Sequence, residues 1–202
     1  MTTYPLGEIP LDPATEKFTL QRKQSISQSA FTGVATVINN FSQWQLQVGF
    51  APVLRGSSDE RQMMSWLVSL RGSEGSFLYY PADAGKAITG KTLGAPGYAE
   101  SNSILITGFT GSSPTGLAAG DYFSIGHKLF IITQAPVNAT SGNATISFEP
   151  PLRADIAPGA TINFVTPNIE LRLAGGNDDG QGYSKDPAFT YFNSLIAVEV
   201  LE

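Results

Sequence analysis

The chain of 202 residues has no cysteine and a single histidine, His127. That excludes disulfide scaffolds, thiolate zinc sites, cysteine nucleophiles and any metal site needing two histidines from one chain. Charge is also scarce. Charged residues make up 14% of the chain, against a usual ~25%. Basic residues number 12 against 17 acidic ones, for a net charge of -5. The basic residues are scattered, with only Arg22 and Lys23 adjacent, so the basic patch of a nucleic-acid binder is missing. No apolar run approaches the ~18 residues of a membrane span. The start, Met-Thr-Thr-Tyr-Pro, shows neither the basic nor the apolar region of a secretory signal. The lack of cysteine fits folding in a reducing cytosol.

What the chain has in quantity is turn residues and apolar side chains. Gly is 21, Pro is 13, and 42% of residues are hydrophobic. This combination favours a packed, turn-rich β protein. Trp44, Leu46, Val48 and Phe50 alternate with Gln45, Gln47 and Gly49, which predicts a strand with one buried face. Thr19 to Ser29 reads as a polar strand, and 34–41 as a separate β-branched one. Ile169, Leu171 and Leu173 alternate with Glu170 and Arg172. Phe189 to Glu202 reads as one long final strand with Ile196, Val198 and Val200 on one face.

One helix is expected. Ser57 to Glu60 forms a capping box, with Ser57 accepting from Glu60 N–H and Glu60 reaching back. Met63, Trp66, Leu67 and Leu70 then repeat at three- and four-residue steps, and Gly72 marks the stop. Between about 83 and 165 the strands become compact, with Gly126-His127 as a two-residue hairpin turn. The fold expected is mainly β. A sandwich or barrel outer domain with one helix spans 1–82 and 166–202. A small all-β domain, 83–165, is inserted into it.

The chemistry-bearing residues form no recognisable catalytic set. His127 sits in a turn, and no Gly-x-Ser-x-Gly elbow accompanies it. Asp178 and Asp179, in the Gly-rich loop 175–182, lack the ligand spacing of a calcium loop. No carboxylate pair is singled out for glycoside hydrolysis. No catalytic residue, metal ligand or cofactor is therefore expected. Tyr98, in a loop, is the aromatic placed to meet a sugar. Gln21, Gln24, Ser27 and Gln28 make a neutral strand suited to pairing with another chain. With Asp178 and Asp179, they are the expected subunit-interface residues.

The layout resembles a known family. A polar N-terminal strand leads to the Trp-containing strand. The helix ends in Leu70-Arg71-Gly72, followed by Gly75-Ser76-Phe77-Leu78-Tyr79-Tyr80-Pro81. The inserted segment carries Gly120-Asp121-Tyr122-Phe123-Ser124-Ile125. This is similar to the distal tail proteins of long-tailed bacteriophages, subunits of the tail tip or baseplate hub. The resemblance implies a homo-hexameric ring joining the tail tube to tip or fibre proteins, with DNA passing only in transit. It places the protein in the virion, made in the host cytoplasm, away from membranes. The competing expectation is a carbohydrate-binding module that uses Tyr98.

Overall fold

The computed structural model describes residues 4–28, 31–174 and 182–201, with the backbone alone over 36–40. The fold is mainly β, with one helix among the described residues. Its first element pair is a long antiparallel ribbon. Strand β1 (Thr15–Gln28) pairs with β2 (Ala35–Gly49) from Thr15↔Gly49 to Gln28↔Ala35. The two segments expected on either side of residue 42 are one continuous strand, because Phe41-Ser42-Gln43 contains no turn-forming Gly or Pro. A β-bulge lies opposite Lys23 and Gln24, where the partner residue skips from Phe41 to Asn39. Such an extra residue bends the strand locally.

The ribbon is one edge of a five-stranded antiparallel sheet in the order β1-β2-β14-β11-β4. The other members are β4 (Ser76–Tyr79), β11 (Ile169–Leu173) and β14 (Leu195–Glu199). Period-two alternation sends Trp44, Leu46 and Val48 into the core with Ile169, Leu171 and Leu173. Phe18 stacks on Trp44 at 4.6 Å between ring centres. Helix α1 (Ser58–Leu70) covers this face with Met63, Leu67 and Leu70. Each such fully buried side chain contributes roughly 1.5–3 kcal/mol. The N-terminal segment also belongs to this layer. Leu6 bridges Phe77 beside β4, and Ile9 is buried.

Ser57 caps α1 as the sequence implies, its hydroxyl accepting from Glu60 N–H at 3.2 Å. Two details differ. Glu60 Oε2 accepts from Gly56 N–H rather than from the cap residue, whose own N–H donates to Leu54 O. The left-handed C-terminal cap falls on Arg71, with φ 50°, one residue before Gly72.

The expected final strand is two. Strand β13 (Phe189–Phe192) joins a small sheet, β12-β13-β3, with Tyr183–Lys185 and Val53–Leu54, while β14 enters the main sheet. Its buried residues are Leu195, Ala197 and Glu199, with Val200 buried just beyond it, so the face shared by Ile196 and Val198 is the more exposed one. Ile196 is 42% exposed. Glu199 shares the buried face, its charge paired with Arg153.

Six strands form a closed barrel in the order β10-β5-β6-β9-β8-β7. They are β5 (Lys91–Leu93), β6 (Ser103–Thr107), β7 (Tyr122–Ile125), β8 (Lys128–Gln134), β9 (Asn143–Glu149) and β10 (Thr161–Asn163). Closure removes sheet edges from this half of the molecule. Phe123, Phe130, Phe148 and Phe164 pack with Ile and Leu side chains inside it. Gly126-His127 joins β7 to β8, with Ile125 paired to Lys128.

The barrel sits against the main sheet through one wall. Leu129 and Ile131, on the outer face of β8, join the sheet's core cluster. Trp44 Nε1–H donates to Leu129 O at 2.9 Å. Arg153 follows β9 and reaches Glu199 at 2.9 Å.

Candidate functional site

The open edge and the projecting ribbon are the features that set this surface apart. Strand β14 joins β2 only over residues 45–48. Among the described residues, the outer ribbon, 22–28 with 35–42, therefore pairs with no third strand. An ion pair to the body joins Arg22 to Glu149 at 3.8 Å. A two-stranded ribbon on its own is only marginally stable in water.

The four glutamine and serine positions expected at an interface all lie on β1, but alternation divides them between two faces. Gln21 and Ser27 share the face turned away from the core. Gln24 and Gln28 share the opposite face with Ile26. Gln21 is half-buried and donates from Nε2 to Gln45 Oε1. With Lys17, Thr19 and Gln47 these residues form a shallow, uncharged-to-basic strip. Gln28 Nε2 donates to Gly33 O at 3.1 Å, which ties down the start of the ribbon turn. Asp178 and Asp179 lie outside the described residues.

The apolar residues of the ribbon were not singled out from the sequence. Ile26 is 72% exposed, Val34 is 63% exposed, and Phe31 is fully exposed. The available signal was apolar residues flanking a turn glycine, Gly33, without a buried period.

A second surface lies between α1 and the N-terminal segment. Leu6, Pro10 and Trp66 line a recess of about 490 Å³, bordered by Glu8, Arg61 and Gln62. Trp66 packs edge-on against Phe77 at 5.0 Å. Its Nε1 atom is buried without a hydrogen-bond partner. Sequence periodicity placed Trp66 in the core, but it is only half-buried because it forms a wall of this recess.

The strongest electrostatic feature is structural. Glu60 Oε1 meets Lys185 Nζ at 2.6 Å and the Thr190 hydroxyl at 2.7 Å. The Lys185 hydrogen bond, then Gly56 N–H and the Thr190 hydroxyl, hold the Glu60 carboxyl down at about 2. This fastens the start of α1 to the small sheet. Asp186 is likewise lowered, by the N–H groups of Phe189 and Ala188. Tyr79 and Tyr122 are raised, first by burial and then by the negative charge of Glu16.

The remaining candidates stand apart from one another. His127 holds its turn, Nδ1 lying 3.0 Å from Asn168 Oδ1. Tyr98 is 64% exposed in the loop between β5 and β6. Among the described residues no three His, Asp or Glu side chains gather in a metal-holding group, and no helix is long and apolar enough to cross a membrane. No protein-family model matches the chain, and no curated protein matches it.

Proposed function

We propose that this chain is a structural virion protein, six copies of which close into a ring at the distal end of a phage tail. The ring connects the tail tube to the tip or fibre proteins. The observation that carries this reading is the projecting β1–β2 ribbon at the open edge of the main sheet. A ribbon that reaches past its own sheet and carries exposed apolar side chains is suited to contact with another subunit. Edge strands invite such pairing. Contacts between different faces of one chain generate closed rings when the rotation closes.

In this proposal the face of the main sheet turned away from α1 lines the channel. Thr19 and Gln21 of β1 and Gln43, Gln45 and Gln47 of β2 lie on that face. Neutral amides predominate there, and Lys17 and Lys23 of β1 share the face, so on the ribbon phosphate contacts are confined to those two lysines. Subunits are made in the host cytoplasm and incorporated into the virion.

Electron-microscope class averages of the purified protein test the proposal, with mass measured in parallel by sedimentation. The expected result is a ring of six. A strict monomer at every concentration, including in the presence of tail-tube and tip proteins, overturns it.

A further inference from the structure

We propose that the edge of β1 pairs with the same edge of a second copy, antiparallel about a two-fold axis at Thr19. The contact goes beyond the ring reading and does not rest on it.

The edge is open where the core reaches it. Among the described residues no strand besides β2 pairs with β1, and residues 15–23 make no backbone hydrogen bond outside that pairing. Unpaired N–H and C=O groups along an edge are a template for another strand. Phe18 and Leu20 lie on the core-side face of this stretch, pack against the sheet's core cluster, and remain half-buried. A strand added there covers them. The stretch ends at Lys23, where the bulge interrupts the alternation.

Charges on an edge strand ordinarily oppose such pairing, so the register decides. Residues that face each other across an antiparallel pair share one face of the sheet. In a two-fold pairing of β1, even positions therefore face even ones, and odd face odd. With Thr19 facing its own copy, Glu16 faces Arg22 at both ends and Phe18 faces Leu20 on the core side. Lys17 and Lys23 face Gln21 and Thr15. Opposite charges meet twice, and no like charges lie directly opposite. An axis at Leu20 sets Lys17 against Lys23, and an axis at Phe18 pairs no acid with a base. Arg22 also contacts Glu149 at 3.8 Å, but its side chain stays 54% exposed, and a guanidinium has donors for two carboxylates.

The contact is isologous, the same patch on both copies, so it joins copies in pairs. The ribbon beyond the bulge is left for the heterologous contacts of a ring.

The chain has no native cysteine, so one introduced thiol reports one contact. Thr19→Cys treated with a short bis-maleimide is expected to give a covalent dimer. Ser112→Cys, exposed in a barrel loop, is expected to stay uncrosslinked under the same treatment. Glu16→Arg alone sets arginine against Arg22, and Arg22→Glu alone sets glutamate against Glu16. Each variant keeps the wild-type circular dichroism and dimerises roughly tenfold or more weakly by sedimentation. Mixed, the two restore both charge pairs, and a heterodimer forms with near wild-type affinity. Mixing would not undo a merely structural effect of either substitution. A mixture that associates no better than either variant alone overturns the pairing. So does a wild type that forms a ring of six while Thr19→Cys gives no dimer, and the ring reading then stands. A wild-type dimer with no larger species supports the pairing and counts against the ring. A wild type that stays monomeric at every concentration overturns the pairing.

Discussion

Replacing Arg153 with alanine tests how the barrel is held to the sheet. Glu199 is 1% exposed. Its carboxylate accepts from Arg153 Nη2 at 2.9 Å, from Arg153 Nε at 3.4 Å, and from Trp44 N–H at 3.2 Å. Arg153 also donates to Ser42 O. Arg153→Ala leaves the carboxylate enclosed with one backbone N–H, and leaves the Ser42 carbonyl without that donor. Breaking a buried pair by removing one partner costs about 3–5 kcal/mol. The Arg153 side chain is 21% exposed, so water reaches the vacated space and favours the lower end. For a chain of this size each kcal/mol lowers Tm by about 2–4 °C, so the expected fall is about 6–20 °C. Urea denaturation followed by circular dichroism measures the loss directly, provided the slope is unchanged. Glu74→Ala is the control. Its pair with Arg71 is 4.0 Å long and exposed on both sides, a class contributing about 0–1 kcal/mol. The double variant Arg153→Met/Glu199→Leu recovers most of the loss, because an apolar replacement leaves no stranded charge. A loss under about 1 kcal/mol for Arg153→Ala, comparable to the control, would falsify the argument.

Three further outcomes follow from the same geometry. Folding lowers the Glu60 carboxyl from 4.5 to about 2, so ionised Glu60 stabilises the fold fully above pH about 4.5 and loses that effect as pH falls toward about 2. Glu60→Gln should flatten this part of the Tm-against-pH curve; parallel curves for variant and wild type would rule the explanation out. Gly108 has φ +100°, and a Cβ there would lie 2.5 Å from Gly90 O. Gly108→Ala therefore destabilises the barrel by more than ~1 kcal/mol, whereas Gly7→Ala, with nothing within 4 Å, does not; equal Tm values would contradict this. Tyr98→Ala changes stability by no more than about 0.5 kcal/mol and leaves the proposed ring assembly unaffected. A glycan array on which the wild type binds and this variant does not would instead make the barrel a glycan reader.

Local patterns made much of the fold legible. Trp44 to Val48 and Ile169 to Leu173 declare their buried faces by alternation alone, and Ser57 declares a helix start by hydrogen bonding to Glu60 three residues on. The failures share a cause. Isoleucine and valine outrank glutamate as inward residues, so pattern alone turns Ile196 and Val198 toward the core. Glu199 reverses that phase through a partner 46 residues away. Local spacing makes Glu60 half of a capping box, yet its main partners, Lys185 and Thr190, lie more than 120 residues downstream.

The candidate surface was legible by half. The Gln- and Ser-rich stretch of β1 stands out in the sequence, and β1 is the sheet edge. The apolar ribbon tip does not, because an exposed Ile26 and a buried isoleucine look the same in a string of letters. The recess depends on Leu6 and Trp66 coming together across 60 residues of chain.

The scarcity of charge, the absence of cysteine and the turn-rich composition determined by themselves a β protein without thiol or multi-histidine chemistry. Periodicities of two and 3.6 then located strands and helix, since those signals are confined to neighbours in the chain. Only the tertiary structure decided that the compact strands close into a barrel, that β1 stands at an edge, and that the ribbon extends beyond its sheet. Strand order and burial depend on pairings between distant residues, and no local window contains them.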